Sequence, residues 1–302
     1  MVIARIAELE LENTKMMEQM LNILSIVGPY TKEDKFPFVE SASYADYIME
    51  TGVKTMRDWH FRNTFINGSK TLTKTEMKKA GLEDNPENIV WSINAAKSVL
   101  RNTKTSAIDD QFQKSIYLRY LIHFYGDLHQ PLHNVSLVNK DFTKGDQGGN
   151  LFIIDTPQVK NLHSLWDSCI LRNMDIDYPI TKQKFDVIDS LAKGLMKAYP
   201  RTQKEIKQRL ELFSISDIHD ETVQIAIDFV YDGIKPNQKP SAAYLKRAIQ
   251  VIDKQVILAG YRLSDSLQTL FKDPNVLEKH VKPASSGKIT KKRTKTKTPT
   301  QI

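Results

Sequence analysis

Between Leu121 and Asp167 the sequence reads LIHFYGDLHQPLHNVSLVNKDFTKGDQGGNLFIIDTPQVKNLHSLWD. Four of the chain's seven histidines fall inside it: His123, His129, His133 and His163. His123 and Asp127 stand four apart, as do His163 and Asp167. Residues i and i+4 of a helix share a face about one turn apart. Each pair therefore offers an imidazole nitrogen and a carboxylate oxygen to a common point, the way a helix grips a zinc-like ion. His133 follows the break at Pro131 and approaches from another direction. His129 lies about 240° around the helix from His123 at about 100° per residue, so it takes a structural, hydrogen-bonding role. Asp127 sits near a helix C-terminus, where the dipole disfavours a carboxylate and a cation would compensate it.

Outward from this stretch the pattern is helical. Apolar spacing predicts helix over residues 2–27, in two pieces, stopped by Gly28-Pro29. Further helices are expected at Val39–Glu50, from Pro86 to about Asn102, and from about Ala107 to His129. Others follow at Asn161–Leu171 and Phe185–Tyr199, from about Arg201 to Tyr231 with a break near Ser214–Asp217, and at Ala242–Phe271. Residues 62–85 and 139–150 read as irregular and polar, and Leu151–Ile154 as a short strand. The expected fold is all-α: a single mainly helical domain over residues 1–275, with little or no strand. Residues 276–302 are rich in Lys, Thr, Ser and Pro and read as a disordered basic tail.

Composition narrows the chemistry. The net charge is +7 over 302 residues, but Lys282, Lys288, Lys291, Lys292, Arg293, Lys295 and Lys297 account for all of it. The folded body is therefore close to neutral, and any basic groove on it is local. The tail is free to hold DNA or RNA nonspecifically. Cys169 is the only cysteine, so an intrachain disulfide and a cysteine-based zinc site are both excluded. No apolar run approaches the roughly 20 residues of a membrane span. The chain opens directly in helical periodicity with no secretory signal pattern, which suggests missing upstream residues.

The segments HFYGDLHQPLH (123–133), GDQGGN (145–150) and NLHSLWD (161–167) resemble the zinc-dependent class I nucleases. That family includes fungal single-strand-specific nucleases, plant bifunctional nucleases and trypanosomatid 3′-nucleotidase/nucleases, within the phospholipase C/nuclease superfamily. SYADYI with Asp46, TMRDWHF with His60, and AGYRLSDSL at 259–267 extend the resemblance over about residues 1–271. Spacing alone makes Asp46 a solvated helix acid and His60 a packed residue beside Trp59. The resemblance instead implies a first zinc held by Asp46, His60, His123 and Asp127, and a second held by His133, His163 and Asp167. Asp127 would bridge to a third zinc.

The same resemblance makes Asp46 the catalytic residue that orients water and accepts its proton. It places Asn150 near the substrate and Phe61 where a base would stack, although Asn150 also reads as a turn residue and Phe61 as core packing. Asp146 is expected to fix the glycine loop. The implied activity is hydrolysis of single-stranded DNA and RNA to 5′-phosphates, with 3′-nucleotides as further substrates. The alternatives are a catalytically impaired homologue that binds metal or nucleic acid, and a phospholipase-C-like hydrolase. The family's N-terminal Trp and His have no counterpart here, so the sequence is truncated or the third metal is lost, leaving two or three ions. Many members carry Arg where this chain has Ile48. A phosphate contact is then missing or supplied by another residue such as Arg57 or Arg62. The family is usually secretory.

Overall fold

The computed structural model describes residues 1–101, 108–168 and 178–272. The chain runs through α1 (Val2–Leu11), α2 (Lys15–Val27), α3 (Pro37–Glu40), α4 (Tyr44–Glu50), α5 (Lys74–Ala80) and α6 (Ile89–Arg101). It continues through α7 (Ile108–His129), α8 (Leu162–Asp167), α9 (Lys182–Ala198), α10 (Lys204–Arg209), α11 (Ile215–Ile225) and α12 (Ala242–Phe271). Three short strands, β1 (Thr64–Asn67), β2 (Lys70–Thr71) and β3 (Val135–Leu137), complete it. The expectation of a mainly helical fold holds.

Helix α7 is the axis of the molecule. Leu118, Tyr120, Leu121, Ile122, Phe124, Tyr125 and Leu128 are all buried, on every side of the helix, as expected of a helix enclosed by others. Helices α2, α6, α11 and α12 pack around it. Helix α1 lies against α12, and Gly260 makes this close: a Cβ there would fall 2.5 Å from Ile6 Cγ2.

Several boundaries differ from the sequence reading. The segment expected at Val39–Glu50 is broken by a 3₁₀ turn at Ser41–Ser43. The break expected near Ser214–Asp217 lies just ahead of Ser214, whose hydroxyl caps α11. Leu151–Ile154 is not a strand and keeps a single bridge, Ile153 to Asn161. The largest correction concerns residues 62–85, expected to be irregular. They hold β1, β2 and α5. Strand β1 pairs antiparallel with β2 and parallel with β3. Helix α5 starts from a capping box of Thr73 and Glu76 and ends at Gly81 in the left-handed region. The outer ends of the helices expected to reach Asn102, Ala107 and Leu171, and the tail 276–302, lie outside the described residues.

Candidate metal centre

Four parts of the chain meet in a cavity of about 920 Å³. Helix α4 brings Asp46. The 3₁₀ turn Arg57–His60 brings His60. Helix α7 brings His123 and Asp127, and the 3₁₀ turn after it, Pro131–His133, brings His133. Helix α8 brings His163 and Asp167. All seven line the cavity, together with Asn150 and Phe61. The small sheet sets the second of these parts against the third. The Arg62 amide donates to the His133 carbonyl at 2.8 Å, and the Thr64 amide to the Asn134 carbonyl at 3.2 Å.

The donors form two groups. In the first, His123 Nε2 lies 3.1 Å from His60 Nδ1, and each is 3.6 Å from Asp46 Oδ1. In the second, Asp167 is 3.1 Å from His163 Nε2 and 3.6 Å from His133 Nε2. Asp127 faces both: its Oδ2 is 3.0 Å from His60 and from His123, and its Oδ1 is 3.8 Å from His133.

The backbone orients the rings. His123 Nδ1 donates to the Ala42 carbonyl at 2.6 Å, His133 Nδ1 to the His60 carbonyl at 2.8 Å, and His163 Nδ1 to the Gly148 carbonyl at 2.7 Å. These bonds fix the tautomer, so each Nε2 presents a lone pair to a carboxylate. His60 is reversed: its Nδ1 faces the group, and its Nε2 is buried with no partner among the described residues. Lone pairs facing one another at about 3 Å require positive charge between them.

The titration behaviour shows the same demand. Burial alone would lower the pKa of His123, but the Asp127 and Asp46 carboxylates reverse the sign and lift it to about 9. Burial is likewise outweighed at His133 by Asp127 and Asp167, which lift it to about 10. Burial opposes ionisation of Asp127, yet His123 and His133 hold it well below the carboxylate range. Asp167 is depressed too, burial being overcome by His133 and His163. Protons answer the charge demand where no metal is bound, and a divalent cation fits the same position. A set of imidazole nitrogens and carboxylate oxygens without sulfur suits zinc.

Supporting residues escaped the sequence reading. Gln130 Nε2 donates to Asp167 Oδ1 at 2.7 Å and holds that carboxylate against the second group. Asn161 caps α8 by accepting from the Ser164 amide at 2.8 Å, which sets the helix that carries His163. Asp146, read from sequence as fixing its loop, is fully buried. It accepts from the Leu137 amide and the Tyr231 hydroxyl, both at 2.8 Å. Asn150 is exposed on the cavity wall, and its amide donates to the Gln147 carbonyl at 2.9 Å. Phe61 is half-buried there. His129 lies off the site as expected. Its Nδ1 donates to the Tyr125 carbonyl at 2.7 Å, and its Nε2 accepts from Arg262 at 3.0 Å.

A family model described as S1/P1 nuclease matches residues 1–272. Endonuclease 2 of Arabidopsis thaliana is 27% identical over 175 residues, which cover 57% of this chain and 58% of that protein. Endonuclease 1 of the same plant is 26% identical over 195 residues, 60% of this chain and 57% of its own length. The matched part thus spans less than two thirds of both relatives. Endonuclease 5 is 23% identical over 244 residues, 77% of this chain and 79% of its own length.

Proposed function

The chain belongs to the S1/P1 nuclease family, and on that premise we propose that it is a zinc-dependent phosphodiesterase acting on single-stranded DNA and RNA. It releases 5′-phosphates and also hydrolyses 3′-nucleotides. The observation that carries this reading is the convergence of seven His and Asp donors in one open cavity, in two groups joined by Asp127.

Asp46, His60 and His123 with Asp127 would hold one ion, and His133, His163 and Asp167 a second. Zinc bound there supplies Lewis acidity, drawing charge off phosphate oxygens and easing deprotonation of water. The chain's own residues do the rest. Asp46 is the exposed member of the first group, with 58% of its side chain accessible. It meets the attacking water, orients it towards phosphorus and accepts its proton. The new P–O bond forms as the bond to the 3′ oxygen breaks. That oxygen takes a proton from solvent water and leaves as a 3′-hydroxyl, while Asp46 gives the proton it accepted back to solvent. Asn150 hydrogen-bonds the bound strand, its amide held in place by Gln147. Phe61 gives a base a face to stack on.

The test uses the zinc-loaded chain on single-stranded DNA, single-stranded RNA, a 3′-nucleotide and phosphatidylcholine. Acid-soluble nucleotides should appear, be lost on chelation and return with zinc, while phosphocholine should not be released. Asp46→Asn should lower turnover at least 10²-fold. Absence of nucleotide release from a chain with verified zinc content would refute the activity. Turnover near the unsubstituted level in Asp46→Asn would refute the role given to Asp46.

A further inference from the structure

Among the described residues the cavity is lined by three carboxylates of the donor groups, Asp46, Asp127 and Asp167, and by a single Lys or Arg side chain, Arg57. Arg57 begins the 3₁₀ turn that ends at His60. It is exposed, whereas His60 is buried. One end of the turn therefore enters the donor cluster and the other stands at the rim, roughly 6 Å away along the turn axis at about 2 Å per residue. The ion pairs of Asp46 are with His60 and His123. Arg57 does not approach that carboxylate, and its guanidinium has no ion pair or hydrogen bond among the described residues.

Other arginines near the donor-bearing elements are committed. Arg62 Nε donates to Asp84 at 3.0 Å. Arg119 is buried on Glu33 at 2.6 Å, and Arg262 is held by Glu221 at 2.8 Å. Ile48, two residues after Asp46, packs against the core and supplies no charge to the cavity.

We propose that Arg57 binds the phosphate flanking the one at the donor groups, so that the site recognises a phosphodiester chain in preference to a mononucleotide. This rests on the hydrolysis reading for the cavity and adds a substrate preference to it. A guanidinium offers a planar fork that pairs with two phosphate oxygens. From the rim it reaches a neighbouring phosphate without competing for the donor carboxylates. A mononucleotide has no such phosphate and gains nothing from it.

The experiment measures the affinity of the zinc-loaded chain for a phosphorothioate single-stranded oligonucleotide as a function of salt, for the unsubstituted chain, Arg57→Ala and Arg57→Lys. Zinc content and melting temperature of each serve as folding controls. One phosphate contact contributes about 0.7 to the slope of log affinity against log salt for single strands. Arg57→Ala should lose that increment and bind about tenfold more weakly at low salt. Arg57→Lys should keep the slope. In turnover, the loss in kcat/KM should be larger for an oligonucleotide than for a 3′-nucleoside monophosphate. An unchanged slope in Arg57→Ala, equal losses in the Ala and Lys variants, equal losses on both substrates, or no oligonucleotide binding by the unsubstituted chain would each overturn the proposal. The binding arm needs no turnover. A chain that binds with an Arg57-dependent slope yet cleaves nothing refutes hydrolysis alone, and a chain that cleaves with an unchanged slope refutes only the role of Arg57.

Discussion

The Nδ1–H of His133 donates to the backbone carbonyl of His60 at 2.8 Å, so a donor of one group is oriented by the backbone of a donor of the other. His163 is oriented in the same way by the Gly148 carbonyl. Gly148 has φ of +62°, and a Cβ on it would stand 2.3 Å from the Leu132 carbonyl oxygen. Gly148→Ala must therefore shift backbone that carries a ring-orienting acceptor. Strain of this kind costs about 1–3 kcal/mol, and loss of a group that orients a metal ligand weakens affinity about 10- to 100-fold. Chelator competition should show that loss. Gly194→Ala in α9, where nothing lies within 4 Å, should leave zinc affinity unchanged. Equal zinc affinity in the two variants would remove Gly148 from the site's support.

Zinc uptake should release protons. His123 and His133 titrate at about 9 and about 10 in the metal-free chain, so both imidazoles are protonated at neutral pH and must give up the proton to coordinate. Calorimetry at pH 7 in buffers of different ionisation enthalpy should report about two protons released per chain. Both folded-state values lie above the unfolded value. The stability they contribute to the metal-free chain is fully present below about pH 6.5 and is lost as pH rises through about 9 to 10. Chelated protein should therefore weaken towards alkaline pH, and zinc should protect it there. No proton release would show that His123 and His133 are already neutral at pH 7 and would overturn their raised pKa values.

Buried histidines with lowered pKa, His129 and His219, contribute on the acid side, and His129 is the more strongly shifted. His129 is buried as the neutral Nδ1–H tautomer, and burial, then Arg262, lowers its pKa to about 3. Between about 6.5 and 3 the unfolded chain takes up a proton that the folded chain refuses, so this residue's contribution is intact above pH 6.5 and falls away below it. The slope is at most about 1.4 kcal/mol per pH unit. The contributions of His123 and His133 are constant in that window, which separates the two effects. Urea midpoints of chelated protein between pH 7 and 5 should fall, and His129→Gln should flatten the fall. An identical pH profile in the variant would mean that another group sets the acid limb.

The sequence displays the donors more clearly than the framework that assembles them. His123 with Asp127, and His163 with Asp167, are visible because a helix turns i, i+4 spacing into proximity. Asp46 and His60 have no such local signature. They meet His123 only through tertiary packing, and the resemblance to a family, not their spacing, points to them. The strands that bring His60 beside His133 were missed for a physical reason: β1 has four residues and β3 three, too few for an alternating pattern to stand out. Helix α5 buries none of its residues and so carries no apolar period. Its legible signals were Thr73 and Glu76 at capping-box spacing and the Gly81 stop. Gln130 escaped because a side-chain amide reaching a carboxylate on another helix leaves no trace in local sequence.

The loop that feeds the first donor group hangs on one buried carboxylate. Glu40 is fully buried and accepts from three backbone amides: Asp34 at 2.8 Å, Phe36 at 3.0 Å and Ile180 at 2.9 Å. It stands two residues before Ala42, whose carbonyl orients His123, and six before Asp46. Removing an acceptor and leaving a buried donor unpaired costs about 1–3 kcal/mol for each group. Glu40→Ala should therefore destabilise the chain by at least about 3 kcal/mol, and the damage should pass through Ala42 to His123. Glu40→Gln keeps one carbonyl oxygen and should cost markedly less, although its amide hydrogens oppose the donors they replace. Urea denaturation gives the stability of each variant, and zinc titration under strongly folding conditions gives the effect on the site. A Glu40→Ala chain within about 1 kcal/mol of the parent would show that other contacts hold this loop. A destabilised variant with unchanged zinc affinity would show that the loop supports the fold without setting the His123 ring.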